Sequence, residues 1–95
     1  MPRESYLEST FHRLVQTRLG GTTHKLLPAV DSGIPDRLVV LPGGILELVE
    51  LKAEDGRLRP DQELWHRKAA KRGVRVSVVS SREGIDEWIS ERNTS

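Results

Sequence analysis

The spacing of apolar positions changes along the chain, and each change marks an element. Tyr6, Leu7, Phe11, Leu14, Val15 and Leu19 fall three and four residues apart, which predicts a helix over 4–18. Gly20-Gly21 stops it. Residues 22–27 (Thr-Thr-His-Lys-Leu-Leu) make a candidate first strand, and Pro28 to Pro35, with Asp31, Ser32 and Gly33, reads as a loop. A second strand is predicted at 36–41 and a third at 45–52, joined by Pro42-Gly43-Gly44. Three-residue hairpin loops often end a type I turn with a left-handed residue, and Gly44 suits that place. Ala53 to Arg59 is a polar connection with a turn at Asp55-Gly56.

The next helix opens on Pro60, a residue that fits the first helical position. Asp61 and Glu63 lie where the helix dipole favours acids, Lys68, Lys71 and Arg72 where it favours cations, and Gly73 closes it. Residues 74–79 alternate as a fourth strand. Ser80 as cap with Glu83 resembles a capping box opening a last helix to about Glu91, whose apolar face is Ile85, Trp88 and Ile89. The order is α-β-β-β-α-β-α. A helix between strands in this order predicts an α/β fold with a central mixed sheet flanked by helices.

The length of 95 residues suggests one domain over 1–95, with a modest core that gains from a partner. No apolar run approaches the roughly 20 residues of a membrane span, and Met-Pro-Arg-Glu lacks the apolar stretch of a signal peptide. With no cysteine, thiolate chemistry is excluded and a cytoplasmic location is expected. Net charge is +1, unevenly spread. Residues 52–75 carry eight Lys or Arg against four acids, a local +4, leaving −3 elsewhere. Such a zone suits a phosphate-bearing partner or a solvated helix face.

The third strand carries the chemistry. Side chains alternate across a strand, so Leu46, Leu48, Glu50 and Lys52 share one face. A three-residue loop at 42–44 pairs Val40 with Leu46, Leu38 with Leu48 and Asp36 with Glu50. Directly opposed carboxylates repel, and a divalent cation between them stabilises the pair. A two-residue loop would instead set Asp36 against Leu51 and put the acids on opposite faces.

Gly33-Ile34-Pro35-Asp36, followed by Glu50-Leu51-Lys52, resembles the PD-(D/E)XK nuclease signature. The longer text narrows it: Gly-Ile-Pro-Asp-Arg-Leu-Val-Val, Val-Glu-Leu-Lys-Ala-Glu-Asp-Gly-Arg-Leu-Arg-Pro-Asp-Gln, and Gly73 before a Val-rich strand resemble a VRR-NUC domain. The resemblance implies a restriction endonuclease-like fold and Mg2+- or Mn2+-dependent cleavage of DNA. It implies similarity to small phage enzymes that, like Holliday junction resolvases, act as dimers on branched DNA. Asp36, Glu50 and the main-chain carbonyl of Leu51 would be the metal ligands. Lys52 would position the attacking water or steady charge on the phosphate. Glu8, with Glu4 as rival, resembles the N-terminal acidic residue of the family. Gln62 is expected beside Lys52, where it can hydrogen-bond water or phosphate. Lys25, Arg57, Arg59, Arg67, Lys68, Lys71 and Arg72 are the expected DNA contacts.

The remaining residues point to packing. His12, His24 and His66 share no metal-ligand spacing, although His24 or His66 could touch phosphate. Trp65 and Trp88 read as packing or dimer residues, and Glu47, on the opposite strand face, as a structural partner of Arg37. The competing class is a non-catalytic DNA-binding or assembly module on an inactive nuclease fold.

Overall fold

The β hairpin is the centre of the structure, and its register sets the rest. In this computed structural model, which describes residues 3–27, 33–52 and 57–93, β2 (Arg37–Leu41) pairs antiparallel with β3 (Ile45–Leu51). Leu41 meets Ile45, Val40 meets Leu46 and Leu38 meets Leu48, so the loop has three residues. Gly43 and Gly44 both take positive φ, 87° and 75°. The loop is therefore not a type I turn with one left-handed residue; two glycines share the reversal because neither carries a Cβ to clash.

β1 (Thr22–Lys25) adds antiparallel to β2, and β4 (Val76–Val79) adds parallel to β3, giving the mixed sheet β1-β2-β3-β4. The parallel step needs a crossover, which α2 (Pro60–Lys71) supplies. α1 (Arg3–Leu14) and α3 (Arg82–Arg92) lie on the opposite sheet face. The predicted α/β order is thus observed.

The core forms where alternation aims side chains at α1 and α3. Phe11, Val15, Val39, Val49, Leu51 and Ile85 are fully buried there. Each such burial is worth about 1.5–3 kcal/mol. Trp88 meets Phe11 edge to face with centroids 5.0 Å apart, so it is a core residue.

Several boundaries differ from the pattern, each for a local reason. The first helix leaves α geometry at Val15 and runs as a π turn to Leu19, closed by left-handed Gly20. Strands begin or end nearer the hairpin: β1 stops at Lys25, β2 starts at Arg37, β3 stops at Leu51 and β4 starts at Val76. Val74 belongs to the end of α2, because its N–H reaches the Ala69 carbonyl while Gly73 bonds Ala70. The cap of α3 is Ser81 rather than Ser80: its Oγ accepts from the Gly84 N–H at 3.0 Å. Residues 28–32, within the first loop, and 53–56, including the Asp55-Gly56 turn, lie outside the described residues.

Glu47 does not meet Arg37. Its carboxylate takes both Nη2 and Nε of Arg92, at 2.6 and 2.7 Å, and that guanidinium lies 3.8 Å from the Trp88 ring centroid. The fork closes α3 onto β3. Glu47→Ala takes the acceptor from Nε and Nη2 of a half-buried guanidinium, leaving Nη1 on the Trp88 carbonyl and Glu91, and is expected to cost about 2 kcal/mol. Chemical denaturation of both proteins checks it; a change below about 0.5 kcal/mol would show the fork is not holding α3.

Candidate active site

Asp36 stands one residue before β2, at the open end of the hairpin. Buried Pro35 precedes it, and its main chain is tied on one side, where its carbonyl accepts from the Leu26 N–H at 2.8 Å. On the other side its carboxylate Oδ1 accepts from the Leu51 N–H at 3.1 Å. The side chain therefore continues the ladder after the strand itself has stopped. It also brings the Asp36 carboxylate against the backbone of the Glu50-Leu51-Lys52 stretch.

Glu50 follows Val49 in β3 and pairs with Val78 of β4. It is 4% exposed, unusual for a carboxylate. Alternation directs it away from the Val49 and Leu51 core, to the face that α2 covers. Lys52 lies just beyond the strand, half-buried, with its N–H bonded to the Val79 carbonyl at 2.9 Å. Alternation directs Glu50 and Lys52 to the same side, and the three-residue register, whose last pair is Arg37 with Val49, brings Asp36 next to Glu50.

Gly33 explains how α2 reaches this corner. Its φ is 91°, and a Cβ there would overlap the Asp61 carbonyl oxygen. The first turn of α2 consequently sits directly on the Gly-Ile-Pro-Asp stretch. Gln62 is buried in that turn, 3% exposed, but its Oε1 is committed to its own helix: it accepts from the Arg59 N–H at 2.9 Å. Only its amide N–H groups are left to donate to water or phosphate.

Glu8 is placed differently from the expectation that it joins the other acids. It bonds Arg37 Nη2 at 3.1 Å and Lys25 Nζ at 3.4 Å, on the sheet face covered by α1. The side chain of rival Glu4 lies outside the described ones. Among the described residues no group of three acidic or imidazole ligands forms. The donors brought to the open end are the carboxylates of Asp36 and Glu50 and the main chain of Leu51. These are hard oxygen donors, a set that fits Mg2+ or Mn2+ and suits softer metals poorly. A bound cation would also offset the desolvation of the Glu50 carboxylate.

The expected DNA contacts divide by position. Arg67, Lys68, Lys71 and Arg72 are exposed along α2, and Arg57 and Arg59 are exposed ahead of it. Arg59 is paired with Asp61 at 3.3 Å and Lys25 with Glu8. His12 and His24 bond Thr23 and Thr22, at 2.7 and 3.0 Å, and have structural roles.

Sequence reasoning gave His66 no definite part, yet it lies one turn after Gln62 on the half-buried side of α2. Its Nε2 is buried and makes no hydrogen bond among the described residues. The fourfold spacing from Gln62 was the available signal. Burial lowers the imidazole pKa, so the folded protein favours the neutral ring. As pH falls below about 6.5, the unfolded chain takes up this proton first, and stability is lost until the folded pKa is passed. Stability is therefore expected to decline as the pH falls below about 6.5, and His66→Gln to flatten that decline; urea midpoints from neutral to mildly acid pH check it. An equally steep decline in the variant would exclude His66 as its source.

Comparison with known proteins bears on the family and the fold. The profile of the VRR-NUC domain matches residues 4–83. "Putative nuclease p44" of Acyrthosiphon pisum secondary endosymbiont phage 1 is 34% identical over 82 residues, covering 85% of this chain and 86% of that protein. A solved structure described as a VRR_NUC domain superposes with a TM-score of 0.86 at 34% identity, covering 95% of this chain and 97% of the other. The profile match over residues 4–83, with 34% identity across most of both chains, places this chain in the VRR-NUC domain family.

Proposed function

We infer that the chain is a Mg2+- or Mn2+-dependent endodeoxyribonuclease, one nuclease domain over its 95 residues. The observation that carries this reading is the strand end, where the Asp36 carboxylate bonds the Leu51 N–H beside buried Glu50. Family membership and the phage relative's name as a nuclease support it. Asp36, Glu50 and the Leu51 carbonyl would hold a divalent cation, which would supply Lewis acidity toward the phosphate and lower the pKa of water. Every other part belongs to side chains. Lys52, on the Glu50 side, places a positive charge against the phosphate as its negative charge grows. Gln62 donates its amide N–H to water or to a phosphate oxygen. Glu8, held by Lys25 and Arg37, orients α1 against β1 and β2.

The exposed cations of α2 and its approach hold the sugar-phosphate backbone. Such contacts carry little sequence information, which suits selection by DNA shape. Branched DNA such as a Holliday junction is the proposed substrate, cut by a homodimer because resolution needs two incisions. The reading places the protein in the cytoplasm of the cell where that DNA is found; no described helix is long and apolar enough to cross a membrane.

A binding module with an inactive site is the second reading, favoured by the pairing of Glu8 with Lys25 and Arg37 in place of a third ligand. Two experiments separate them. Asp36→Asn retains an acceptor for the Leu51 N–H, so it is expected to fold normally yet lose cleavage and thermal protection by Mn2+. Lys52→Ala is expected to keep Mn2+ protection and DNA binding and to lose at least 100-fold in cleavage, an order typical of removing one charge-stabilising group. Cleavage of linear, flapped, forked and four-way DNAs at wild-type rate by either variant would reject the roles. Arg67→Ala with Lys71→Ala is expected to lower the salt slope of DNA binding by about 2. An unchanged slope would remove α2 from the footprint.

A further inference from the structure

α1 and α3 pack on one sheet face, whereas α2 lies over only part of the other. Beside α2 that second face is apolar. Leu38, Leu46 and Leu48 line a groove of about 530 Å³ with Val74 and Arg75 of the α2–β4 connection. A second hollow of about 360 Å³ shares Leu48 and Val74 and is walled by Trp65, Lys68 and Arg72 of α2. Leu38 and Leu48 each stand two residues from Asp36 and Glu50 along the chain, on the same sheet face. The apolar floor therefore begins about 7 Å from the candidate metal ligands. Its rim is cationic. Among the described residues Lys68, Arg72 and Arg75 make no ion pair, and Arg72 gives one N–H to the Lys68 carbonyl. Glu47, the acid of the groove lining, gives its carboxylate to Arg92.

We propose that the hollow between Trp65, Leu48 and Val74 seats an unpaired nucleobase of the DNA whose backbone α2 holds. The proposal rests on the nuclease reading for its substrate and deepens it. Three observations select this occupant. First, the hollow is continuous with the DNA footprint: Lys68 and Arg72 wall it, so a phosphate held by them brings its own base over the floor. Second, the lining is an indole ring and aliphatic side chains between cations, which suits a flat, apolar base face joined to a negative backbone. Third, other occupants match only half of it. An apolar peptide would leave the cations unanswered, and a second copy would set like charges against one another.

The consequence is selection by structure. A base in an intact duplex is stacked and paired, and drawing it out costs free energy that a base already unpaired does not pay. DNA with unpaired bases near the scissile phosphate, at a flap, a single-stranded end or a branch point, is therefore favoured over linear duplex. The hollow's walls carry no side-chain amide or carboxylate to read a base edge, so the preference is for an unpaired base and not for a sequence.

Binding of two labelled single strands of equal length in EDTA tests the proposal, one of deoxyadenosines and the other of abasic sugars with the same phosphates. The wild type is expected to bind the base-bearing strand about tenfold more tightly, the factor one stacked base supplies. Trp65→Ala is expected to erase that preference and keep the salt slope, and Trp65→Phe to retain both. Lys68→Ala with Arg72→Ala is expected to weaken both strands alike and to lower the slope by roughly 1.4. Indole emission gives a second readout that does not depend on the alanine variant folding: the deoxyadenosine strand is expected to quench the wild type and not Trp65→Phe. Equal binding of the two strands by the wild type, a preference unchanged in Trp65→Ala, or equal quenching of Trp65→Phe would overturn the assignment. So would a dimer in solution that Leu46→Lys breaks, because a second copy would then fill the floor. Binding is read without cleavage, so a protein that prefers bases but cuts no DNA would refute the nuclease reading and leave the base seat standing. A nuclease indifferent to bases would lose only the seat.

Discussion

The rest of the structure depends on the pairing of Leu38 with Leu48 across a three-residue hairpin loop. Strand side chains alternate with a period of two, so this register decides everything that faces either way. It sends Val39, Leu41, Val49 and Leu51 to the α1 and α3 core. It sends Leu46, Leu48 and Glu50 to the α2 side. A slip of one residue would bury Glu50 among Phe11 and Trp88 and expose the valines, an exchange worth many kcal/mol. The hydrophobic core thereby enforces the geometry of the polar corner.

That corner illustrates how a small domain fits a charged site beside its core. Asp36 lies outside the ladder but takes a ladder hydrogen bond with its side chain. Glu50 stays within the ladder, paired with Val78, and is 4% exposed. α2 can approach so closely because Gly33 has no Cβ where the Asp61 carbonyl lies. Helix, loop and strand ends are consequently held together by backbone contacts and by the Asp36 carboxylate.

The ionic pairs distribute the remaining charge around this frame. Arg37, 8% exposed and adjacent to Asp36, ties β2 to Glu8 of α1. Arg92 ties α3 to Glu47 of β3 and stacks on Trp88. Both guanidiniums hold helices on the core face. The cations of α2 point outward on the other. One sheet thus separates the paired arginines of the core face from the exposed cations of α2.

Alternation, glycine placement and the Pro-Asp and Glu-x-Lys text were enough to read the element order, the hairpin register and the residues at its open end. These follow from local rules, since period and turn length act within a few residues of each other. The sequence could not tell which cation each acid would meet. Glu47 was matched to Arg37 by nearness across the hairpin, whereas α3, forty-five residues on, brings Arg92 to it. Glu8 was matched to the other acids, whereas the docking of α1 sets it between Lys25 and Arg37. The commitment of Gln62 Oε1 to its own helix and the choice of Ser81 over Ser80 likewise depended on exact helix starts. Long flexible side chains choose partners only where docked helices bring them together, and packing of the apolar core directs that docking.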